Sequence, residues 1–465
     1  MKKTIIVLIR EDLRIDDHPA LFEASQEGNV IPLFILDEAA SFGEAKKWWL
    51  HRNIKTFKDT LQSINGDLWL DKGKTEEVLL RWIEKTNAQA VYWNRAYHPE
   101  VYDRDRKLAH SLSSQGIDVK TFEGTLLLPP WNIKKDDDTP YKVYSAFYKS
   151  LRKQDIPKPR PPVRQMNVPQ LKDTGMSLKD LGFMPSVPWY HVMESIWDPG
   201  EDAALKRMNA FLEKGLHVYS EGRDFPSEGH ISTLSPYLAL GTISVRRIFH
   251  TLVEMDSKPI EPFIKQLIWR EFSYTVLLHF PESPARPLNK KFGDFKWQTN
   301  EDDWEKWTKG KTGYPIVDAG MRELWATGFM HNRVRMIVAS FLTKHLLIPW
   351  QRGAKWFLNT LIDADLANNS MGWQWVAGSG FDSAPYFRIF NPTLQSEKFD
   401  KDGAYIRMWV PELANLPSPY IHKPTDAPAA VLEECNISMG KDYPYPVVDH
   451  KAARKRALER YDEIK

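Results

Sequence analysis

Tryptophan sets the chemical character of this chain: 18 of its 465 residues are Trp. An indole is broad and flat and its N–H wants a partner when buried. So many of them indicate stacking surfaces, flat ligands or redox use, beside an aromatic core that takes the majority. The polar companions lie in the second half. Trp373-Gln374-Trp375 follows Asp363-Ala364-Asp365-Leu366-Ala367-Asn368-Asn369, and Ile268-Trp269-Arg270-Glu271-Phe272 and His331-Asn332-Arg333-Val334-Arg335-Met336 precede it. Helical spacing puts Gln266, Trp269, Arg270 and Ser273 on one face and Asn332, Arg335 and Met336 on another. Taken singly, each cluster also reads as ordinary structure: Trp pairs as core, Arg335 with Asp363 as a buried ion pair, Ser232-Thr233-Leu234-Ser235 as a helix cap before Pro236.

Other chemistries lack their residues. Gly73-Lys74-Thr75 and Gly310-Lys311-Thr312 end like phosphate-binding loops, but Leu68 and Glu305 stand where the first glycine belongs. Gly378-Ser379-Gly380 lacks a third glycine three residues on, and the chain holds neither a Gly-x-Ser-x-Gly elbow nor a His-Glu-x-x-His pair. The single Cys435 excludes an intramolecular disulfide and any multi-cysteine metal site. Sixty-three basic against 61 acidic residues leave +2, so nucleic-acid binding would need a local basic face. Lys2 and Lys3 precede only a short apolar run ended by Arg10-Glu11-Asp12, so no export signal or membrane span is read, and a soluble cytoplasmic protein is expected.

The elements that must position these residues fall into three segments. Residues 1–130 alternate strand runs (Ile5–Ile9, Val30–Leu36, Asp67–Leu70, Ala90–Trp93, Val119–Phe122) with amphipathic stretches at Lys46–Ile64 and Thr75–Thr86. That rhythm predicts an α/β domain with a doubly wound parallel sheet. Residues 131–199, punctuated by Pro157, Pro159, Pro161, Pro162, Pro169, Pro185 and Pro188, read as a partly extended connector. Residues 200–465 carry helical periods, among them Lys265–Leu278, Val317–Phe329, Met330–Leu347 and a charged terminal segment, Ala452–Lys465.

Together the motifs resemble the photolyase and cryptochrome family of flavoproteins, most closely its bacterial class I cyclobutane pyrimidine dimer photolyases. The resemblance rests on Arg223-Asp224-Phe225-Pro226, Leu234-Ser235-Pro236, Ile268 to Phe272, Lys311-Thr312-Gly313-Tyr314-Pro315-Ile316-Val317-Asp318-Ala319, His331 to Met336, Trp373-Gln374-Trp375 and Arg388-Ile389-Phe390-Asn391-Pro392, in the family's order. Arg14-Ile15-Asp16-Asp17-His18-Pro19-Ala20-Leu21 extends it to the N-terminus. It implies an α/β antenna domain and an all-α domain holding FAD. It implies also a reaction: light excites reduced FAD, one electron enters a dimer flipped out of UV-damaged DNA, the ring splits, and the electron returns. No metal is implied, and a monomer is expected.

By this resemblance Tyr219, Ser232, Thr233, Leu234 and Ser235 hold the FAD pyrophosphate and ribitol, and Arg270, Arg335, Asp363, Asp365 and Asn369 contact the flavin, Asn369 opposite N5. Trp269, Trp375, Gln266, Asn332 and Met336 face the lesion. Arg223, Arg333 and Lys398 take DNA phosphates. Trp373, Trp350 and Trp297 match the electron-hopping chain. One position departs: Gln266 stands where dimer photolyases of this class carry glutamate, and 6-4 photolyases commonly have glutamine there. The latter have histidines at the positions of Asn332 and Met336, which here cannot transfer protons. Dimer repair is therefore the expectation, with 6-4 repair and a cryptochrome-like light sensor as rivals. Tyr102 and Asp103 stand where folate-binding relatives have asparagine and glutamate, leaving a folate, deazaflavin or flavin antenna open.

Overall fold

The computed structural model describes residues 2–171, 175–255 and 259–465; residues 172–174 of the expected connector lie outside them. Five strands, β1 (Lys3–Ile9), β2 (Gly28–Asp37), β3 (Trp69–Gly73), β4 (Ala90–Asn94) and β5 (Asp118–Phe122), form one sheet in the order β3-β2-β1-β4-β5. Every neighbouring pair is parallel. The expected doubly wound sheet is present. Its central strands are near-continuous apolar runs because helices cover both faces. Ile6, Leu8, Ile31 and Leu33 pack with Leu79, Trp82, Leu108 and Leu112 on one face, while Ile5, Val7 and Ile9 are buried on the other.

β3 starts at Trp69 rather than at the expected Asp67, whose carboxylate is drawn into local bonds. It accepts from the Leu68 N–H at 2.8 Å and pairs with Lys58 at 3.3 Å. The connector is less extended than its prolines suggest. It contains the helix Tyr144–Leu151, whose Phe147 ring lies 5.2 Å from that of Phe272.

Contacts divide the chain into two compact units: Met1–His217 with Ser232–Pro281 and Ile362–Ala367, and Val218–Ile231 with Glu282–Leu361 and Asn368–Lys465. This division cuts across the expected 1–130, 131–199 and 200–465 segments, because the helix Glu261–His279 packs on the connector helix rather than joining a separate C-terminal body. That helix opens with Pro262 in its first turn and buries Leu267, Ile268, Phe272 and Val276. In the second unit, the helix Pro315–Thr327 ends at Gly328, whose φ of 65° supplies the left-handed cap. The single helix expected over Met330–Leu347 is instead capped by His331, runs Asn332–Ser340, and widens into a π turn at Phe341–His345. The chain leaves the helix at Leu347, whose φ is 53°. Asp449 caps the last helix, His450–Asp462, accepting from Ala452 N–H at 2.8 Å, and Ala453 and Ala457 face inward. Among the described residues no helix is long and apolar enough to cross a membrane.

Candidate functional site

In the first unit, Ser232–Ser235 form a turn rich in donors. The Ser232 hydroxyl accepts from Leu234 N–H at 3.4 Å, Leu234 is buried, and Thr233 sits at φ 50°. The Ser235 hydroxyl donates to Asp363 Oδ2 at 2.6 Å, joining this turn to the segment Ile362–Ala367. Two residues on, Asp365 accepts from the Tyr274 hydroxyl, and burial together with that carboxylate pushes the phenol pKa up. Tyr274 stands on the helix Glu261–His279, which also carries Arg270. The Arg270 guanidinium lies 4.9 Å over the Tyr274 ring and donates to the Thr125 carbonyl at 2.9 Å. Beside it, burial raises the Glu271 pKa to about 8 in spite of Arg270, so this carboxyl is held neutral at pH 7 while accepting from Leu127 N–H at 2.9 Å. Hydroxyls and backbone amides can donate to phosphates, and the two buried carboxylates of Asp363 and Asp365 can accept from ligand hydroxyls, a set suited to a ligand bearing both.

The same helix presents Gln266 and Trp269, both half-buried. The Gln266 amide reaches the Pro262 carbonyl only at 3.5 Å, too long to fix it. Trp269 is held firmly. Tyr144 stacks on it with centroids 3.7 Å apart and planes 4° from parallel, and the Tyr144 hydroxyl donates to the Lys265 carbonyl at 2.7 Å. Sequence reasoning missed Tyr144 because it lies in a connector read for its prolines. Tyr102 stacks on Tyr97 at 6.1 Å, and Trp131 lies 6.4 Å from it beneath Arg95.

In the second unit, the helix Leu366–Ala377 turns Trp373 inward, at 2 % exposure, and leaves Trp375 half-exposed. Two residues are about 200° of helical rotation, so the two indoles leave opposite faces. Gln374 between them is buried as a bracket, donating to the Ser283 and Arg286 carbonyls at 2.7 and 3.0 Å and accepting from Leu288 N–H at 2.9 Å. Asn369 donates its amide to the Ala354 carbonyl at 3.0 Å, which fixes the side chain and leaves its carbonyl oxygen and second N–H. Trp373 has Phe357 at 5.0 Å and Trp307 at 6.3 Å. From Trp307 the rings continue through Trp304 at 5.4 Å and Trp356 at 6.0 Å to the exposed Trp325 at 6.1 Å. Trp350 is buried at the start of the helix Trp350–Thr360, and Trp297 packs 4.5 Å from Phe295.

The expected phosphate-binding cations come together in this unit. Arg333 pairs with Asp224 at 2.9 Å and lies 4.4 Å over Phe399, whose ring also carries Lys398 at 5.0 Å. Arg223 lies 5.7 Å over Tyr219. Asp224 thus competes with any phosphate for Arg333. Asn332 is exposed and its amide touches Met336 Sδ at 3.9 Å, so the two share a face as their spacing predicts. Arg335 donates to the Met330 carbonyl at 2.7 Å and lies 5.2 Å over Phe329. His331 caps this helix by accepting from Arg333 N–H at 3.2 Å, and burial keeps its imidazole neutral, lowering the pKa to about 4. Glu323, raised to about 7 by burial, accepts from His331 N–H at 3.3 Å and from the Tyr405 hydroxyl at 2.5 Å.

Residues 5–164 match the family model described as DNA photolyase, and residues 263–463 match the FAD binding domain of DNA photolyase. The chain is 45% identical to the deoxyribodipyrimidine photo-lyase of Agrobacterium fabrum, over 99% of this chain and 98% of that one. It is 37% identical to cryptochrome-2 of Arabidopsis thaliana, over 98% of this chain and 78% of the relative. The crystal structure of a bacterial class III photolyase from Agrobacterium tumefaciens superposes with a TM-score of 0.97 at 44% identity, covering 100% of this chain and 98% of that one.

Proposed function

Because the chain belongs to the DNA photolyase family, we propose that it is a light-driven carbon–carbon lyase that splits cyclobutane pyrimidine dimers in UV-damaged DNA. The identity to the class III photolyase of Agrobacterium tumefaciens supports class III membership in place of the class I affinity expected from the motifs.

The donor set fits FAD. The Ser232–Ser235 turn, with its hydroxyls and its bond from Ser235 to Asp363, suits the pyrophosphate and ribityl hydroxyls, with Tyr219 as a further contact. Asp365 and Arg270 of the first unit suit the polar edge of the isoalloxazine; the family resemblance assigns flavin contacts in the second unit to Arg335 and to Asn369, whose amide is tethered. When bound and reduced, FAD supplies the photoexcited electron that opens the cyclobutane ring and is recovered afterwards, so the reaction is redox-neutral. A second chromophore of folate, deazaflavin or flavin type is proposed as antenna, and the fluorescence of released chromophores identifies it.

The chain's own part is to hold the lesion. In the first unit Trp269 offers an indole face to an everted pyrimidine; the family resemblance assigns lesion contacts in the second unit to Trp375, Asn332 and Met336. Eversion costs a few kcal/mol, least for a damaged, poorly paired base, and stacking returns about 1–3 kcal/mol per base. Stacking on an indole therefore offsets part of the cost for a lesion while an intact pair stays in the duplex. Arg223, Arg333 and Lys398 neutralise backbone phosphates and give binding its salt dependence.

The observation that carries this reading is the Trp269 platform, braced face to face by Tyr144 and flanked on its helix by Gln266. The test is illumination of the reduced protein with oligonucleotides carrying either lesion, followed by chromatography. Restored cyclobutane dimers are expected, and restoration of the 6-4 substrate alone overturns the specificity. The similarity to cryptochrome-2 favours a second reading, a light sensor. Flavin photoreduction with neither lesion repaired would establish it.

A further inference from the structure

The Ser232–Ser235 turn contains a strained residue. Thr233 has a φ of 50°, in the left-handed region that a β-branched side chain disfavours. Such a conformation persists only where its surroundings enforce it. The side chain that holds the Thr233 hydroxyl is Arg207, on the helix Glu201–Ala210. One arm of its guanidinium donates to the Thr233 hydroxyl at 3.2 Å, Nε donates to the Tyr237 hydroxyl at 2.9 Å, and the other arm donates to the Ile196 carbonyl. The guanidinium is also laid over Trp197, 4.7 Å from the ring centroid. Tyr237 is itself anchored, donating to the Asp198 carbonyl at 2.8 Å. A planar fork with three fixed acceptors and an aromatic floor has one available pose, so Arg207 is a rigid post against which the turn is held.

We propose that Arg207 is a positioning residue, keeping Thr233 left-handed and so keeping the hydroxyls and amides of Ser232–Ser235 in the shape that receives the flavin diphosphate and ribityl chain. The proposal rests on the flavin reading of that turn. Arg207 touches no reacting atom. Its contribution is to flavin affinity.

The test is a double-mutant cycle in the full-length protein stripped of flavin, read by FAD titration. R207Q keeps a polar side chain but loses the charge and the fork. It is expected to weaken FAD binding about tenfold, the lower part of the range for releasing one strained residue. Raising the FAD concentration recovers the loss. Glycine adopts positive φ freely, so in the T233G background the same R207Q change is expected to alter the FAD Kd less than twofold. A merely structural role through Tyr237 and Trp197 would give equal losses in both backgrounds, because T233G restores neither contact. Equal losses, or an R207Q protein that binds FAD like wild type, overturn the proposal. Should R207Q not fold, R207K, which keeps charge without the fork, enters the same cycle, and the same two outcomes decide it. Wild-type protein that fails to bind FAD removes the ligand and overturns the flavin reading together with the proposal. Wild-type binding with no coupling overturns the proposal alone.

Discussion

The ring of Tyr144 lies flat on the indole of Trp269, centroids 3.7 Å apart and planes within 4°. One indole face is thereby occupied from within the protein, and the stack that a pyrimidine would join is already begun. A parallel aromatic pair contributes about 0.5–1.5 kcal/mol beyond area burial, and the phenol is tethered at 2.7 Å to the Lys265 carbonyl. Tyr144→Ala is therefore expected to raise the Kd for a dimer-containing oligonucleotide by about 2–12-fold, with undamaged DNA affected less. Tyr144→Phe, which keeps the ring, stays within about twofold of wild type. Filter binding at fixed salt measures both, and an alanine variant as tight and as discriminating as wild type removes the brace from lesion recognition.

Gln266 gives the sharpest question about chemistry on this face. Its amide has only a 3.5 Å contact to the Pro262 carbonyl, so the side chain is free to turn toward a pyrimidine edge, but it cannot carry charge or a transferable proton. Gln266→Glu is expected to raise the number of dimers split per absorbed photon. The gain should appear in the yield rather than in lesion affinity, since a carboxylate and an amide offer similar acceptors. An unchanged yield shows that the amide already suffices.

The sheet was readable because its strands are β-branched runs in a βαβ rhythm, and the helices Glu261–His279 and Pro315–Thr327 because a 3.6-residue period runs through them, although the expected spans begin after the prolines that open them. Spacing also placed Asn332 with Met336. What spacing cannot give is contact between distant segments. Tyr144 and Trp269 are 125 residues apart, and Arg207 and Thr233 are 26 apart. Ring neighbours were equally hidden: nothing in the sequence places Trp307 beside Trp373. The break at Phe341–His345 also left no trace, because a π turn uses the same residue types as the α-helix it interrupts.

Gly353 illustrates a constraint of that kind. It lies inside the helix Trp350–Thr360, where alanine would ordinarily stabilise by about 0.8–1 kcal/mol. A Cβ there would meet the Trp373 ring at 2.1 and 2.5 Å and a Leu342 methyl at 2.6 Å. Trp373 is buried against Phe357 and Trp307 and has little room to yield, and overpacking of this kind costs about 1–3 kcal/mol or more. The clash outweighs the helix preference. Gly353→Ala is expected to lose about 1–2 kcal/mol of stability in urea unfolding and to slow photoreduction of oxidised flavin, because an indole of the proposed electron-hopping chain is displaced. A variant as stable as wild type and reduced as fast would show that the indole moves aside without consequence.

Acid should act on the helix Asn332–Ser340 through its cap. His331 accepts from Arg333 N–H at 3.2 Å and must stay neutral to do so. Burial lowers its pKa to about 4 from 6.5, and the charges of Arg335 and Arg333 add to the effect against the opposing pull of Asp224. A histidine depressed in the folded state contributes stability that is complete above pH 6.5 and is lost as pH falls toward 4. At 1.36 kcal/mol per pH unit this amounts to about 3 kcal/mol. Glu323, which accepts from the His331 N–H, acts in the opposite direction. Its pKa is raised from 4.5 to about 7 by burial, so its contribution is complete below pH 4.5 and is lost as pH rises toward 7. The two slopes oppose each other between pH 4.5 and 6.5. Asparagine is a good N-cap and does not titrate, so His331→Asn keeps the cap and leaves the Glu323 slope alone. Relative to wild type, the variant should gain stability steadily as the pH is lowered from 6.5 to 4.5, while other acid-sensitive groups such as His345 cancel in the difference. Urea unfolding of both proteins at four pH values gives that difference directly, and parallel curves would mean that His331 binds protons equally in the folded and unfolded states, so that burial does not lower its pKa.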